Sequence, residues 1–275
     1  MLGQALEAEF SGAGWMVTGY DREELDVTDF EAVTQKLAEL KPDLVINSVA
    51  INAVDKIETE PDFLEAAETI NSRVPGKLAE LCKTRAITLV HYSSDYVFAG
   101  DNENGYAEDV VLAPLNKYGQ TKAAGEIAVQ NVGGKYYVIR LSKLFGKPAV
   151  SEGAKKSFVD TMLGLAVGGK KEFDVVDDES SSPTYAPDLA RFTRELVESN
   201  KDFGIYHGTN SGACTWYEWA KEIFALKNLS VEVRPVPATA YPRPAARPHA
   251  SVLLSTKIQT QRSWQEALQE YLASN

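Results

Sequence analysis

Short, wholly apolar runs alternate with stretches of helical spacing through the first half of the chain. Leu44-Val45-Ile46, bounded by Pro42 and Asn47, and Ile87-Thr88-Leu89-Val90-His91 read as strands buried on both faces. Tyr136-Tyr137-Val138-Ile139-Arg140 reads as a further strand, and Trp15-Met16-Val17-Thr18-Gly19-Tyr20 as an earlier one. Helical patterns lie between them, over residues 28–40 with Asp29 and Glu31 in the first turn, 70–85 and 118–131. The order βαβαβαβ predicts an α/β protein with a Rossmann-type, doubly wound parallel sheet.

The second half is less regular. Residues 155–167, 188–199 and 216–226 have helical spacing, the second capped by Asp188 after Pro187, and 172–176 and 205–207 read as strands. Pro242, Pro244 and Pro248 keep residues 241–248 out of helix and central strand. This half predicts a smaller C-terminal substrate-binding lobe interleaved with the sheet, dividing the chain at 1–146 and 147–275. A unit of the first kind opens with an apolar strand and a glycine-rich turn, yet residues 1–6 already read as helix. The expectation is that a first strand and turn, roughly ten residues, are missing. Gly3 then stands as the last glycine of the turn, the one that lets helix and strand pack closely.

Composition narrows the field. Hydrophobic residues make up 44% of the 275, enough for a substantial core. A net charge of −11 argues against a nucleic-acid partner, which wants a basic face. Cys82 and Cys214 with His91, His207 and His249 show no metal-ligand spacing, and two isolated cysteines read as buried thiols. No apolar run approaches the roughly 20 residues of a membrane helix, and no secretory leader pattern opens the chain. The reading is a cytoplasmic protein with no membrane partner.

Tyr118-Gly119-Gln120-Thr121-Lys122 places a phenol and an ammonium one helical turn apart on one face. A lysine ammonium beside a phenol favours the phenolate, so the tyrosine pKa is expected to fall from about 10. A tyrosine so tuned passes a proton to or from a carbonyl oxygen while hydride moves at the carbon. The spacing alone is common: Tyr217 and Lys221 share it, beside Trp216 and Trp219 on what reads as a packing helix. Context singles out Tyr118. Ser93-Ser94-Asp95-Tyr96-Val97-Phe98 follows a buried strand, at the carboxyl edge where open α/β sheets bind ligands. There Ser94 can donate to a substrate carbonyl.

A strand ending in that Ser-Asp-Tyr-Val-Phe element, followed by the Pro-Leu-Asn-x-Tyr-Gly-x-Thr-Lys segment from Pro114 to Lys122, resembles the dTDP-4-dehydrorhamnose reductase family. So do Leu25-Asp26-Val27-Thr28-Asp29, Ala53-Val54-Asp55-Lys56-Ile57-Glu58, Ser182-Pro183-Thr184-Tyr185-Ala186, Gly204-Ile205-Tyr206-His207, Trp216-Tyr217-Glu218 and the Tyr241-to-Pro248 stretch. The likeness spans nearly the whole chain. It implies reduction of the 4-keto group of a dTDP-4-keto-6-deoxy-sugar, giving dTDP-L-rhamnose, with NADPH or NADH. It further implies Tyr118 as proton donor, Lys122 as its partner and Ser94 at the third catalytic position. Ser94, Asp95, Tyr96, Lys143 and Arg247 are implied to face the sugar nucleotide. Leu2 and Gly3 are implied as the remainder of the pyrophosphate turn. Asp26 and Val27 would flank the adenine, and Ala50, Ile51 and Asn52 would line the cofactor cleft beside Tyr118 and Lys122. Asp21, an acceptor for a ribose hydroxyl, favours NAD; Arg22, a partner for a 2′-phosphate, favours NADP. Some members dimerise through a magnesium ion held by glutamates. The sequence does not mark those ligands here, so a homodimer and a magnesium ion stay open.

Two departures bear on the sugar. Lys143 stands where the family carries a tryptophan expected to pack on it, and an ammonium offers no aromatic face, though it can pair with a diphosphate. Ser180-Ser181 replaces the usual Val-Gly. A 4,6-dehydratase would carry a second acid after Asp95, where this chain has Tyr96. An epimerase stays open, as does a non-catalytic, nucleotide-binding regulatory subunit similar to that of methionine adenosyltransferase.

Overall fold

Leu2, Leu6 and Phe10 recur one helical turn apart and are the buried residues of α1 (Leu2–Gly12). The computed structural model of the chain describes residues 1–149, 156–199 and 201–274. In α2 (Phe30–Leu40) the side chain of Asp29 accepts from the amides of Glu31 and Ala32, so Asp29 is the cap and not the first turn. The sheet begins with β1 (Leu44–Asn47) and continues, after α3 (Val54–Thr59), α4 (Pro61–Ala67), a π-helical turn (Glu68–Arg73) and α5 (Val74–Lys83), with β2 (Thr88–Ser94). Helix α6 (Lys117–Val132) leads into β3 (Tyr136–Leu141) and the short β4 (Leu144–Phe145). The expected helix over 70–85 therefore opens in a π-helical turn that runs directly into α5, with Pro75 just past the junction.

The second half supplies α7 (Phe158–Val167), β5 (Glu172–Val176), β6 (Ser180–Ser181), β7 (Thr184–Tyr185), α8 (Ala186–Glu198) and β8 (Gly204–His207). It closes with β9 (Cys214–Thr215), α9 (Trp216–Leu226), β10 (Glu232–Val236) and α10 (Trp264–Ala273). Lys155, read as a helix start, lies outside the described residues. Asp188 is no cap: α8 follows Tyr185, and the buried Asp188 carboxylate takes Arg262 at 2.8 and 2.9 Å, Asn210 at 2.7 Å and Arg191.

The main sheet runs β1-β2-β3-β8, all parallel. Side chains alternate across it. Val90 and Tyr92 of β2 join Ile139, α1 and α8 on one face, while Leu89 and Val138 pack with α2 and α5 on the other. A separate core gathers Phe145 of β4, Val159 of α7, Phe173 of β5, Trp219 of α9 and Trp264 and Leu268 of α10, with Val233 of β10 packed against it. Residues 241–248 form neither helix nor strand, as their prolines require. The predicted strand over 15–20 is absent. A strand exists through its ladder, and among the described residues this extended segment pairs with no other strand. It is held instead by Trp15 and Val17 on the α1–α8 cluster and by Trp15 Nε1 donating to Glu198 at 3.0 Å, leaving Met16 fully exposed.

Candidate active site

The carboxyl end of β2 delivers Ser94, whose hydroxyl accepts from Tyr96 N and caps a 3-10 turn over Asp95–Val97. Against this turn lies the start of α6, capped by Asn116, whose side-chain oxygen accepts from Gly119 N at 2.8 Å. Gly119 makes the approach feasible: a methyl there would sit 2.9 Å from Pro114 Cβ and overlap the Tyr96 carbonyl oxygen. The helix is thus close enough for the buried Tyr118 phenol to meet the Ser94 hydroxyl. Its ring stands edge-on to Tyr96, centroids 5.4 Å apart. Lys122, also buried, sends Nζ to the Tyr92 carbonyl oxygen at 2.6 Å.

The electrostatics differ from the expected tuning. Burial pushes the Tyr118 phenol up to about 12, with the Ser94 hydrogen bond opposing and the Asp95 carboxylate adding to the rise. Burial pulls Lys122 down to about 8, opposed by the Glu126 carboxylate. Burial sets the direction of the phenol's shift, and the Lys122 ammonium is turned toward a main-chain carbonyl. At neutral pH Tyr118 is a protonated donor.

Asp95, expected to touch the sugar, is buried and takes three hydroxyls. Its Oδ1 accepts from Ser94 at 2.9 Å, and its Oδ2 from Ser142 and Ser251, each at 2.7 Å. Burial raises its pKa, against the three hydroxyls and the Lys143 ammonium. Lys143 lies over the Trp216 ring at 4.1 Å, with Nζ 3.2 Å from the Cys214 carbonyl and 3.5 Å from that of Glu179. Burial pulls it down to about 8. Tyr96 lies beside the site, its own phenol raised by burial. Arg247 is paired with Asp55 at 2.7 Å and donates to the Ala245 carbonyl, while Arg243 pairs with Glu179. These contacts pin the 241–248 stretch across α3.

The first amides of α1 have no side-chain cap. A methyl on Gly3 would meet only Ser48 Oγ at 3.7 Å, so α1 abuts the 48–53 loop, and no close approach demands a glycine at this position. In that loop Ala50 and Asn52 are exposed, and Ile51 is held by Asn71, which accepts from its amide at 3.0 Å and donates to its carbonyl at 2.9 Å. Asn71 also donates to Thr121 Oγ1 at 3.1 Å, joining the loop to α6 between Tyr118 and Lys122. Uncapped helix amides, an exposed loop, a phenol and an ammonium are the kinds of group that could hold a nicotinamide dinucleotide. Leu2 contributes its side chain to the core. Asp21 and Asp26 cap their own turns, at Glu23 N and Thr28 N, each 2.9 Å. Arg22 acts electrostatically on Asp26, and Val27 packs against the α2–α5 cluster.

Asn71, Ser142 and Ser251 were not foreseen as site residues. The π-helical turn that aims Asn71 carries no distinctive residue pattern. The serines meet Asp95 across 47 and 156 positions of chain. Tyr217 packs against the second core, with the exposed Lys221 Nζ 5.2 Å from its ring centroid. Cys82 and Cys214 are buried thiols. Among the described residues there is no metal-competent group of three or more His, Cys, Asp or Glu, and no helix long and apolar enough to cross a membrane.

Residues 1–275 match the family described as the RmlD substrate binding domain. A probable dTDP-4,6-dihydroxy-2-methyloxan-3-one 4-ketoreductase of Streptomyces antibioticus is 38% identical, covering 98% of this chain and 90% of that protein. The dTDP-4-dehydrorhamnose reductase of Mycolicibacterium smegmatis is 36% identical, covering 100% of this chain and 83% of that protein. The crystal structure of dTDP-4-dehydrorhamnose reductase from Bacillus anthracis, in complex with NADP, superposes with a TM-score of 0.92 at 34% identity, covering 100% of this chain and 95% of that one.

Proposed function

From the premise that this chain belongs to the RmlD substrate binding domain family, we propose that it reduces the 4-keto group of a dTDP-4-keto-6-deoxy-sugar with NAD(P)H, Tyr118 giving the proton. It is an oxidoreductase of nucleotide-sugar metabolism with a Rossmann-type fold. Its substrate is a dTDP-sugar. The observation that carries the catalytic assignment is the Tyr118 phenol against the Ser94 hydroxyl at the carboxyl edge of the sheet, with Lys122 one turn along.

When bound, a reduced nicotinamide supplies the hydride. The chain's own residues do the rest. The first turn of α1 and the 48–53 loop would hold the dinucleotide. Tyr118, kept protonated by burial, delivers its proton to the carbonyl oxygen as negative charge develops there. The Lys122 ammonium, fixed by the Tyr92 carbonyl, favours the phenolate that remains. We read residues 1–146 as the cofactor-binding part and 147–275 as mainly the substrate lobe, with Ser94, Asp95, Tyr96, Lys143 and Arg247 around the sugar nucleotide. dTDP-L-rhamnose is the product we favour, the cytoplasm the compartment and a homodimer the assembly. Two buried free thiols support the compartment.

The test follows NAD(P)H oxidation with dTDP-4-dehydrorhamnose. The wild type turns over, and Tyr118→Phe loses about 10²-fold or more in kcat with its melting point unchanged. Sugar inversion without net NAD(P)H consumption would make it an epimerase. Absence of turnover, with binding of a partner enzyme, would make it a regulatory subunit.

A further inference from the structure

Ser94 is expected to donate to the substrate carbonyl, yet its proton is already committed. Asp95 receives it at 2.9 Å, inside a carboxylate that also takes the hydroxyls of Ser142 and Ser251. Three hydroxyls share this buried carboxylate, two on Oδ2 and one on Oδ1. These bonds fix the direction of each hydroxyl. With its proton on Asp95, the Ser94 hydroxyl is held in one direction beside the Tyr118 phenol. We propose that Asp95 is a positioning residue that holds the Ser94 hydroxyl beside Tyr118, from where Ser94 turns its proton to the phenolate once Tyr118 has protonated the substrate.

The three serines come from separate places: Ser94 ends β2, Ser142 follows β3, and Ser251 lies in the C-terminal stretch whose neighbour Ala250 bridges to Asp101 and Ser180. Asp95 therefore registers both sheet strands and the lobe on one acceptor. Loss of that acceptor misdirects a hydroxyl in contact with the proton donor. The charged groups around it are Lys143, which favours the carboxylate, and the Tyr96 and Tyr118 phenols, which it raises.

This inference rests on the reductase reading, and its test separates the two. A double-mutant cycle of S94A and D95A measures kcat and KM for the keto-sugar. Each single variant should lose about tenfold or more in kcat, and the double variant should fall within about twofold of S94A, since residues acting as a unit are not additive. Losses that multiply, or a D95A variant with wild-type kcat, overturn it. A crystal structure of D95A judges the same point without turnover: Ser94 Oγ should leave its position beside residue 95, and an unchanged rotamer overturns the proposal. If the wild type turns over no dTDP-keto-sugar, the reductase reading fails while the crystallographic outcome still decides this one. Should D95A not fold, D95N replaces it, with one acceptor oxygen in place of two. Kcat must then follow whether the Ser94 bond survives in its structure, and a broken bond with unchanged kcat overturns the proposal.

Discussion

Replacing Gly119 with alanine sets two effects of opposite sign against each other. Alanine is the better helix former by up to about 1 kcal/mol, and Gly119 sits in the first turn of α6. Packing opposes it. The new methyl would lie 2.9 Å from Pro114 Cβ and 3.1 Å from the Tyr96 carbonyl carbon, and would overlap that carbonyl's oxygen. Carbon atoms prefer about 3.5–4.0 Å, so α6 must retreat by about 1 Å at its N-terminus. Overpacking of this kind costs about 1–3 kcal/mol, which outweighs the propensity gain. The melting point should fall by about 2–8 °C. The larger effect is catalytic. Tyr118 is carried on the retreating turn while Ser94 is not, and a misplacement of about 1 Å costs on the order of 10²-fold in rate. Steady-state NAD(P)H oxidation and a thermal melt read both quantities. A Gly119→Ala enzyme with wild-type kcat would refute the claim that this close approach sets the site's geometry.

Other consequences can be checked separately. Lys122 is pulled down to about 8 from 10.5, so between those pH values the folded protein binds fewer protons than the unfolded chain and stability from this site rises with pH. The urea midpoint of the wild type should therefore gain on that of Lys122→Met from pH 8 to 10; a constant difference would contradict it, and a Lys143→Met background removes the parallel contribution of Lys143, also near 8. Asn71→Ala removes both bonds to Ile51, each worth about 0.5–1.5 kcal/mol, and should raise the cofactor KM about tenfold with little change in kcat; an unchanged KM would dissociate that loop from binding. Lys143→Trp exchanges an ammonium for an aromatic face beside Trp216 and should alter the kcat/KM ratio between two dTDP-keto-sugars by about tenfold at constant cofactor KM; an unaltered ratio would remove residue 143 from sugar choice.

What could be read from the chain and what could not divide along a physical line. The strands over 44–46, 87–91 and 136–140 announce themselves because burial on both faces demands unbroken apolar runs. Tyr118, Lys122 and Ser94 can be singled out from sequence because one helical turn and one strand end are local geometry. The segment 15–20 has the residues of a strand, but a ladder depends on a neighbour, which a local pattern does not contain. Asp188 looked like a cap by position, yet its tertiary partners Arg262 and Asn210 claim it. The direction of the Tyr118 shift was missed because spacing shows the lysine and not the depth of burial. The serines around Asp95 are separated by too much chain for any motif to join them.

Helix α6 is immobilised along its length. Gly119 seats it on the 95–97 turn, Gly125 lies where any side chain would strike the Asn71 carbonyl oxygen, and Glu126 locks to Arg140 of β3 at 2.7 Å in full burial. No register shift is open to it, and few substitutions on its inner face would be survivable. Diversification of such an enzyme must therefore proceed on the opposite wall, where Lys143, Glu179, Arg243 and Trp216 sit on short ribbons and a proline-stiffened stretch. Libraries that seek a new sugar should leave the helix untouched and randomise that wall.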